Sequence, residues 1–450
     1  MEFITSFVDA VNGVLWNYVL LFLLCGTGIY YTFRLKFIQV RKFGEGCKRM
    51  FGSFSLNGLR ADAEGMSSFQ ALTTAIAAQV GTGNLAGAAT AIASGGPGAI
   101  FWMWVSAFFG MATIYAEAVL AQKYKVVGED GQVTGGPIYY IQAAFKGKFG
   151  KFLAVFFSVA IICALGFMGN MVQSNSIGAS FENAFGISPL FVGIGVAVVA
   201  AFVFLGGYGR IASVTEKIVP IMAALYIIGA LVVICMNVTH VPEAFRQIFV
   251  MAFNPTAIGG GVLGITVQKA MRFGVARGLF SNEAGMGSTP HAHAIAKVDH
   301  PDDQGIMAMM GVFIDTFVIL TMTALVIMTT GVWNNGETGA ALTQTAFNSA
   351  FGGFGNIFIA VCMLFFAFST IVGWYFFGEA NVKALFGAKS TKIYAAIVVL
   401  FIVVGSTLKV DLVWNMSDMF NGLMVLPNLL GLLALGGTVV AISKDKEKTL

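Results

Sequence analysis

The chain has 450 residues, of which 57% are apolar, 13% aromatic and 11% charged. A soluble globular protein carries roughly 25% charged residues, so a water-facing surface cannot be assembled from this set. The composition excludes a soluble enzyme, a disordered chain and a nucleic-acid binder, and leaves an integral membrane protein in contact with lipid. Phe outnumbers Tyr 42 to 11, so most rings lack a polar handle, as suits acyl chains. The five scattered cysteines show neither metal-ligand spacing nor a disulfide framework.

A helix needs about 20 mostly apolar residues to cross a bilayer. Hydropathy predicts eleven such segments: 14–33, 67–94, 97–122, 152–178, 188–208, 213–237, 258–281, 305–331, 355–380, 393–408 and 412–441. No separate soluble domain is expected. Residues 35–60 mix bases with Phe, Leu and Met, as in a helix lying on the inner surface; a basic loop fits equally well. Residues 136–146 are a candidate for a second such helix.

The first span does not resemble a cleavable signal peptide. Glu2 and Asp9 precede it, and Arg34 and Lys36 follow it directly, which places the N-terminus outside. Eleven crossings then put 21 of the 26 Lys and Arg residues in segments predicted inside, with only Arg246 and Lys409 outside. The other three, Lys269, Arg272 and Arg277, fall within 258–281. Without that span, Lys297, the 383–392 cluster and the basic tail would all land outside, so the span is kept. Ionisable groups at membrane depth face a cavity or a partner. The expected location is the cell membrane, with a cytoplasmic C-terminus.

Setting aside 1–66 (first span and surface segment) and a tail at 442–450 leaves two halves, 67–237 and 258–441, with five spans each. An odd number per half turns the second upside down relative to the first, as in inverted-repeat transporters. Each half opens with a glycine-interrupted span, Gly81-Thr-Gly-Asn-Leu-Ala-Gly87 and Gly278-Leu-Phe-Ser-Asn-Glu-Ala-Gly285, and both contain Asn-x-Ala-Gly. An unwound segment exposes carbonyls at one half-helix end and amides at the next. Na⁺ suits the carbonyls and a substrate carboxylate suits the amides. In lipid such groups are prohibitive, so they line a cavity. Small residues also serve helix packing, which accounts for Gly87 equally well.

At 95–110, Gly-Gly-Pro-Gly-Ala-Ile-Phe-Trp-Met-Trp-Val-Ser-Ala-Phe-Phe-Gly, the chain closely resembles the signature of the alanine/glycine:cation symporter family. The likeness continues through Val80-Gly-Thr-Gly-Asn84, Thr134-Gly-Gly-Pro137, Arg277 to Gly287, Pro290-His-Ala-His293 and Ser369-Thr-Ile-Val-Gly-Trp374. The resemblance implies an all-α LeuT-type fold, a five-plus-five inverted repeat with one additional N-terminal helix. It also implies sodium-coupled import of alanine or glycine by alternating access, without an organic cofactor. A protein of this kind is expected to act as a monomer.

Val80-Gly-Thr-Gly-Asn84 is also similar to the unwound stretch of bacterial neurotransmitter-type sodium symporters. That likeness implies a sodium site from the carbonyls of Ala77, Val80 and Phe366 and the hydroxyls of Ser369 and Thr370. All are hard oxygen donors, though either hydroxyl could instead bond back to its own helix. For substrate, the amides around Thr82 and Gly83 are expected to hold the carboxylate, with Gln79 and Asn84 nearby. Phe167, Phe273, Gly274 and Trp374 are expected to form the walls. Gln173 is a polar candidate at depth, although interhelical bonding explains it as well.

His291, His293 and His300 have no metal-ligand spacing. Glu117, Glu283, Asp315, Glu379 and Asp418 lie in or beside spans. Glu283 is expected to pair with Arg277 in a gate, and Lys269 and Arg272 share a helix face. Two rivals, an ion channel and a membrane enzyme, would need respectively no closed substrate pocket and a catalytic constellation.

Overall fold

The structure, a computed structural model, describes residues 2–52, 65–128, 130–254 and 266–449. Among these residues eight helices are long and apolar enough to cross a membrane. The first, α1 (Ile4–Arg34), leads through a single helical turn (Ile38–Arg41) into α2 (Phe43–Gly52), which together make the predicted surface segment largely helical up to Gly52. Residues 53–60 of that segment lie outside the described residues. The predicted span 67–94 is broken. It runs as α3 (Ser68–Gln79), an irregular Val80–Gly81, a wide π-helical turn (Gly83–Gly87) and α4 (Ala88–Gly95). Ser67 starts α3 with a reciprocal cap: its hydroxyl accepts from the Gln70 amide, and Gln70 answers to the Ser67 amide.

There follow α5 (Gly98–Lys123), α6 (Pro137–Ala144) and α7 (Gly147–Phe185), the last with a π-helical turn at Ile162–Gly169. The first half closes with α8 (Pro189–Leu205) and α9 (Gly207–Met236). Then comes a helix that hydropathy did not predict, α10 (Val241–Phe253). The Phe-Trp-Met-Trp motif explains why it sits where it does. Phe101 stacks edge-on against Phe249 and Phe253, and the Trp102 indole donates to the Ala252 carbonyl at 3.2 Å. A methyl on Gly98 would stand 2.4 Å from the Met251 carbonyl, so the glycine lets the two backbones touch.

The second half begins with α11 (Val267–Asn282); residues 258–265 of its predicted span lie outside the described residues. An irregular stretch leads to the short α12 (Pro290–Ala294) and then α13 (Pro301–Thr329), which has a π-helical turn at Phe313–Leu320. A second unpredicted helix, α14 (Gly339–Phe351), precedes α15 (Phe354–Phe386), α16 (Thr391–Thr407) and α17 (Val410–Ala434). The last predicted span, 412–441, is in fact two helices. Leu435 ends α17, and α18 (Gly436–Thr449) carries the tail on as helix.

Two short ladders complete the fold. Strand β1 (Met66–Ser67), just before α3, pairs in parallel with β4 (Ala296–Lys297), just after α12. Strands β2 (Val126–Val127) and β3 (Val133–Thr134) form a hairpin. The two halves interlock at the centre, where α4 lies against α11, α3 against α9 and α15, and α5 against both α11 and α13. Both broken helices are buried in protein along their breaks, away from lipid, where irregular backbone at membrane depth would be prohibitive.

Candidate functional site

The break in the first half is built by side chains that replace missing helix bonds. Val80 takes an extended conformation, which leaves the carbonyls of Ala77 and Val80 off the helix ladder. Asn84 closes the far side: its Oδ1 accepts from the Gly81 amide at 2.9 Å, and its Nδ2 donates to Asp315 Oδ1 at 2.7 Å. Both ends of the Asn84 amide are therefore engaged within the protein, and it acts as a tie. Asp315 also accepts from Ser281 (2.9 Å) and Thr316 (2.8 Å), so one buried carboxylate joins the two broken helices.

Beside this break the expected oxygen donors converge. Thr370 Oγ1 lies 2.9 Å from the Ala77 carbonyl, 3.5 Å from Val80 and 3.0 Å from Phe366. Ser369 Oγ lies 3.3 Å from the Ala77 carbonyl and 2.8 Å from Phe366. These oxygens gather where the end of α3 meets α15, with Met222 Sδ of α9 also 3.4 Å from Ser369 Oγ. Gly81 makes this possible, since a methyl there would fall 2.2 Å from Thr370 Oγ1.

Further polar side chains flank the break, Gln173 beside Gly81 and Gln79 toward Gly311 of α13. Gln173 Oε1 accepts from the Thr82 amide at 3.2 Å, and Gln79 Nε2 donates to the Asn282 carbonyl at 2.8 Å. Their opposite ends, Gln173 Nε2 and Gln79 Oε1, are buried without a partner, as are Thr82 Oγ1 and Asn170 Oδ1. Leaving such a group unpaired costs about 1–3 kcal/mol, which a polar ligand reaching it would recover. The set offers both donors and acceptors.

The expected walls are only partly assembled here. Trp374 is buried, its ring edge fills the space above Gly169 one residue before Asn170, and Phe280 stands edge-on to it at 5.5 Å. Phe167 points elsewhere, its ring packed on Phe401 (4.8 Å) and Tyr394 (5.9 Å) of α16. Gly274 faces α5: a methyl there would meet the Ala99 carbonyl at 2.5 Å. Phe273 packs its Cβ near Gly95 at the end of α4, and Gly83 abuts Ser281.

The expected Arg277–Glu283 pair does not form. Arg277 is bound to Asp418 of α17 and lies over the Trp414 ring at 4.7 Å. Glu283 instead accepts from the Trp374 indole and the Ser288 hydroxyl. The reason is local geometry: Glu283 caps α11 in the left-handed conformation, which turns its side chain away from the α11 face that carries Arg277. Just beyond it, Glu117 of α5 holds the amides of Gly285 (3.1 Å) and Gly287 (2.9 Å) and the Asn428 amide (2.7 Å). These partners, like Ser281 and Asn428 themselves, carry no signal in a single sequence.

Removing one member of a buried ion pair strands the other charge, at a cost of about 3–5 kcal/mol. Asp418→Asn is therefore expected to lower the melting temperature in detergent by several degrees. The double variant Arg277→Met/Asp418→Leu should recover most of that loss. Equal destabilisation by both would show that the pair is not the cause.

The whole chain, residues 1–450, matches the model of the sodium:alanine symporter family. It is 44% identical over 449 residues to the sodium/alanine symporter AgcS of Methanococcus maripaludis, covering 99% of this chain and 97% of that one. It is 42% identical over 451 residues to the amino-acid carrier protein AlsT of Bacillus subtilis, covering 99% and 93%. Its fold is similar to that of MhsT, crystallised with L-phenylalanine, at a TM-score of 0.57 and 13% identity over 86% of this chain and 99% of that one. With a LeuT-type fold, paired helix breaks and family-wide identity in agreement, the chain belongs to the sodium:alanine symporter family and is a sodium-coupled transporter rather than an enzyme.

Proposed function

We propose that the protein imports small neutral amino acids, alanine and/or glycine, together with Na⁺ by alternating access. The halves 67–237 and 258–441 are the inverted repeats that rock about the site. The N-terminus lies outside the cell membrane and the C-terminus inside, and the protein works as a monomer among lipids.

The observation that carries this reading is the pairing of two ligand environments at one break. The oxygen cluster of Ala77, Val80, Phe366, Ser369 and Thr370 suits a hard alkali cation. The unpartnered atoms of Gln79, Thr82, Asn170 and Gln173 suit a zwitterion. Its carboxylate takes the amides around Thr82 and Gly83, the Thr82 hydroxyl and Gln173 Nε2. Its ammonium takes Gln79 Oε1 and Asn170 Oδ1. Trp374 closes over the side chain, Asn84 holds the break in shape, and Phe273 with Gly274 supports the neighbouring helix. The Arg277–Asp418 pair latches α11 to α17 as the gate, with Glu283 serving the second break.

In proteoliposomes with an inward sodium gradient, labelled alanine and glycine are expected to accumulate above equilibrium. Serine should be a poor substrate, and leucine and phenylalanine should not be transported. A pocket discriminates one added methylene by about 1–3 kcal/mol, and a wall that cannot retreat does more. Leucine competing as well as alanine would refute the size limit. Counterflow of labelled alanine separates this carrier from a channel, because only a carrier exchanges substrate across the membrane.

A further inference from the structure

Glu283 is the residue that the sodium and substrate sites leave unexplained. It is fully buried, and no cation is paired with its carboxylate among the described residues. It is also one of only three described non-glycine residues with positive φ, at 58°; the other two, Lys36 and Phe37, lie in the turn after α1. A left-handed conformation in a non-glycine residue costs of order 1–3 kcal/mol and persists only where its surroundings enforce it. Here the strain sits at the first residue of the second break, and it aims the side chain at one target. The Trp374 indole N–H donates to one carboxylate oxygen, and the Ser288 hydroxyl donates to the other.

The indole is gripped from three sides. Gly169 leaves room for its six-membered ring, since a methyl there would come within 2.5 Å; Phe280 meets it edge-on; Glu283 holds its nitrogen. Shape contacts alone leave a ring free to tilt, whereas a bond to its only polar atom fixes its plane. Gly373, the residue before Trp374 on α15, packs α15 against α3, since a methyl there would stand 3.0 Å from the Ala78 methyl two residues before the first break.

We propose that Glu283 is a positioning residue that locks the Trp374 ring and thereby sets the side-chain size the site admits. This rests on the reading of Trp374 as the pocket wall. It also means that the second break and the size limit are one device, because Glu283 belongs to the break and the ring it holds belongs to the wall.

The test compares Glu283→Gln, Glu283→Ala, Trp374→Phe and Trp374→Ala in proteoliposomes at saturating sodium, reading leucine inhibition of alanine uptake. Glutamine keeps an acceptor for the indole and a group for Ser288, so Glu283→Gln should retain the wild-type selectivity. Glu283→Ala should narrow the alanine-over-leucine ratio by about tenfold or more, the range of one lost steric discrimination. It should leave the sodium concentration for half-activation unchanged, which general misfolding would not. Trp374→Phe, which removes the N–H while leaving the carboxylate, should narrow the ratio similarly and serves if Glu283→Ala does not fold. Unchanged selectivity in Glu283→Ala or Trp374→Phe overturns the proposal, and so does a Glu283→Gln variant as permissive as Glu283→Ala. If Trp374→Ala itself keeps the wild-type ratio, the pocket-wall reading fails instead.

Discussion

Gly81→Ala is expected to abolish sodium-driven alanine uptake while the protein still reaches the membrane. The added methyl would lie 2.2 Å from Thr370 Oγ1, 3.1 Å from Thr370 Cβ and 3.2 Å from Gln173 Oε1. Thr370 cannot swing aside cheaply, because a β-branched side chain in a helix has few rotamers. Its hydroxyl must leave the carbonyls of Ala77 and Val80, and Gln173 must loosen from the Thr82 amide, so both ligand environments are lost together. Overpacking costs about 1–3 kcal/mol in stability, which a well-packed membrane protein survives. Gly81 has no positive φ, so space rather than backbone freedom is the reason for glycine. Gly87→Ala is the control: its methyl would meet only the Thr82 carbonyl, at 3.8 Å, and uptake should be near normal. Substantial uptake by Gly81→Ala, or equal loss in Gly87→Ala, would remove the break from the mechanism.

Thr370→Ala should raise the sodium concentration for half-maximal uptake by about tenfold or more while leaving alanine affinity at saturating sodium nearly unchanged. Thr370 Oγ1 touches three of the four other donors' neighbourhoods, and deleting it removes one hard ligand and leaves buried carbonyls unpaired, about 1–3 kcal/mol. Ser369→Ala should do less, since that hydroxyl sits farther from Ala77, at 3.3 Å. Thr370→Ser, which keeps the oxygen, should restore most of the sodium response. Uptake by the unmodified protein should vanish when choline replaces Na⁺. Choline-supported uptake would end the sodium reading, and a Thr370→Ala variant with normal sodium activation would move the site.

Long apolar runs and glycine interruptions are local properties, so the eight membrane-length helices and an interruption within Gly81–Gly87 are legible in the sequence. The helices α10 and α14 are not. They are 13 residues each, too short to cross, and α10 carries Glu243 and Arg246 among its apolar residues. Side-chain partnerships were the least visible layer. Arg277 meets Asp418 across 141 positions and Asn84 meets Asp315 across 231, distances over which periodicity is silent. Phe167 is the converse case. It is expected among the walls, yet the helix turns its ring toward α16.

The parallel ladder between β1 and β4 has a mechanical meaning. It ties the entry to α3 to the exit from α12, the lower arms of both broken helices, through the pairs Met66↔Ala296 and Ser67↔Lys297. Gln122 of α5 braces the same junction by donating to the Ala294 and Ala296 carbonyls at 3.1 and 2.9 Å. Swinging either arm alone would have to tear the ladder, at about 0.5–1.5 kcal/mol net per bond, whereas swinging both together keeps the ladder and gives up only the Gln122 brace. The two arms are therefore tied to each other, so a displacement of one without the other costs the bonds of the ladder.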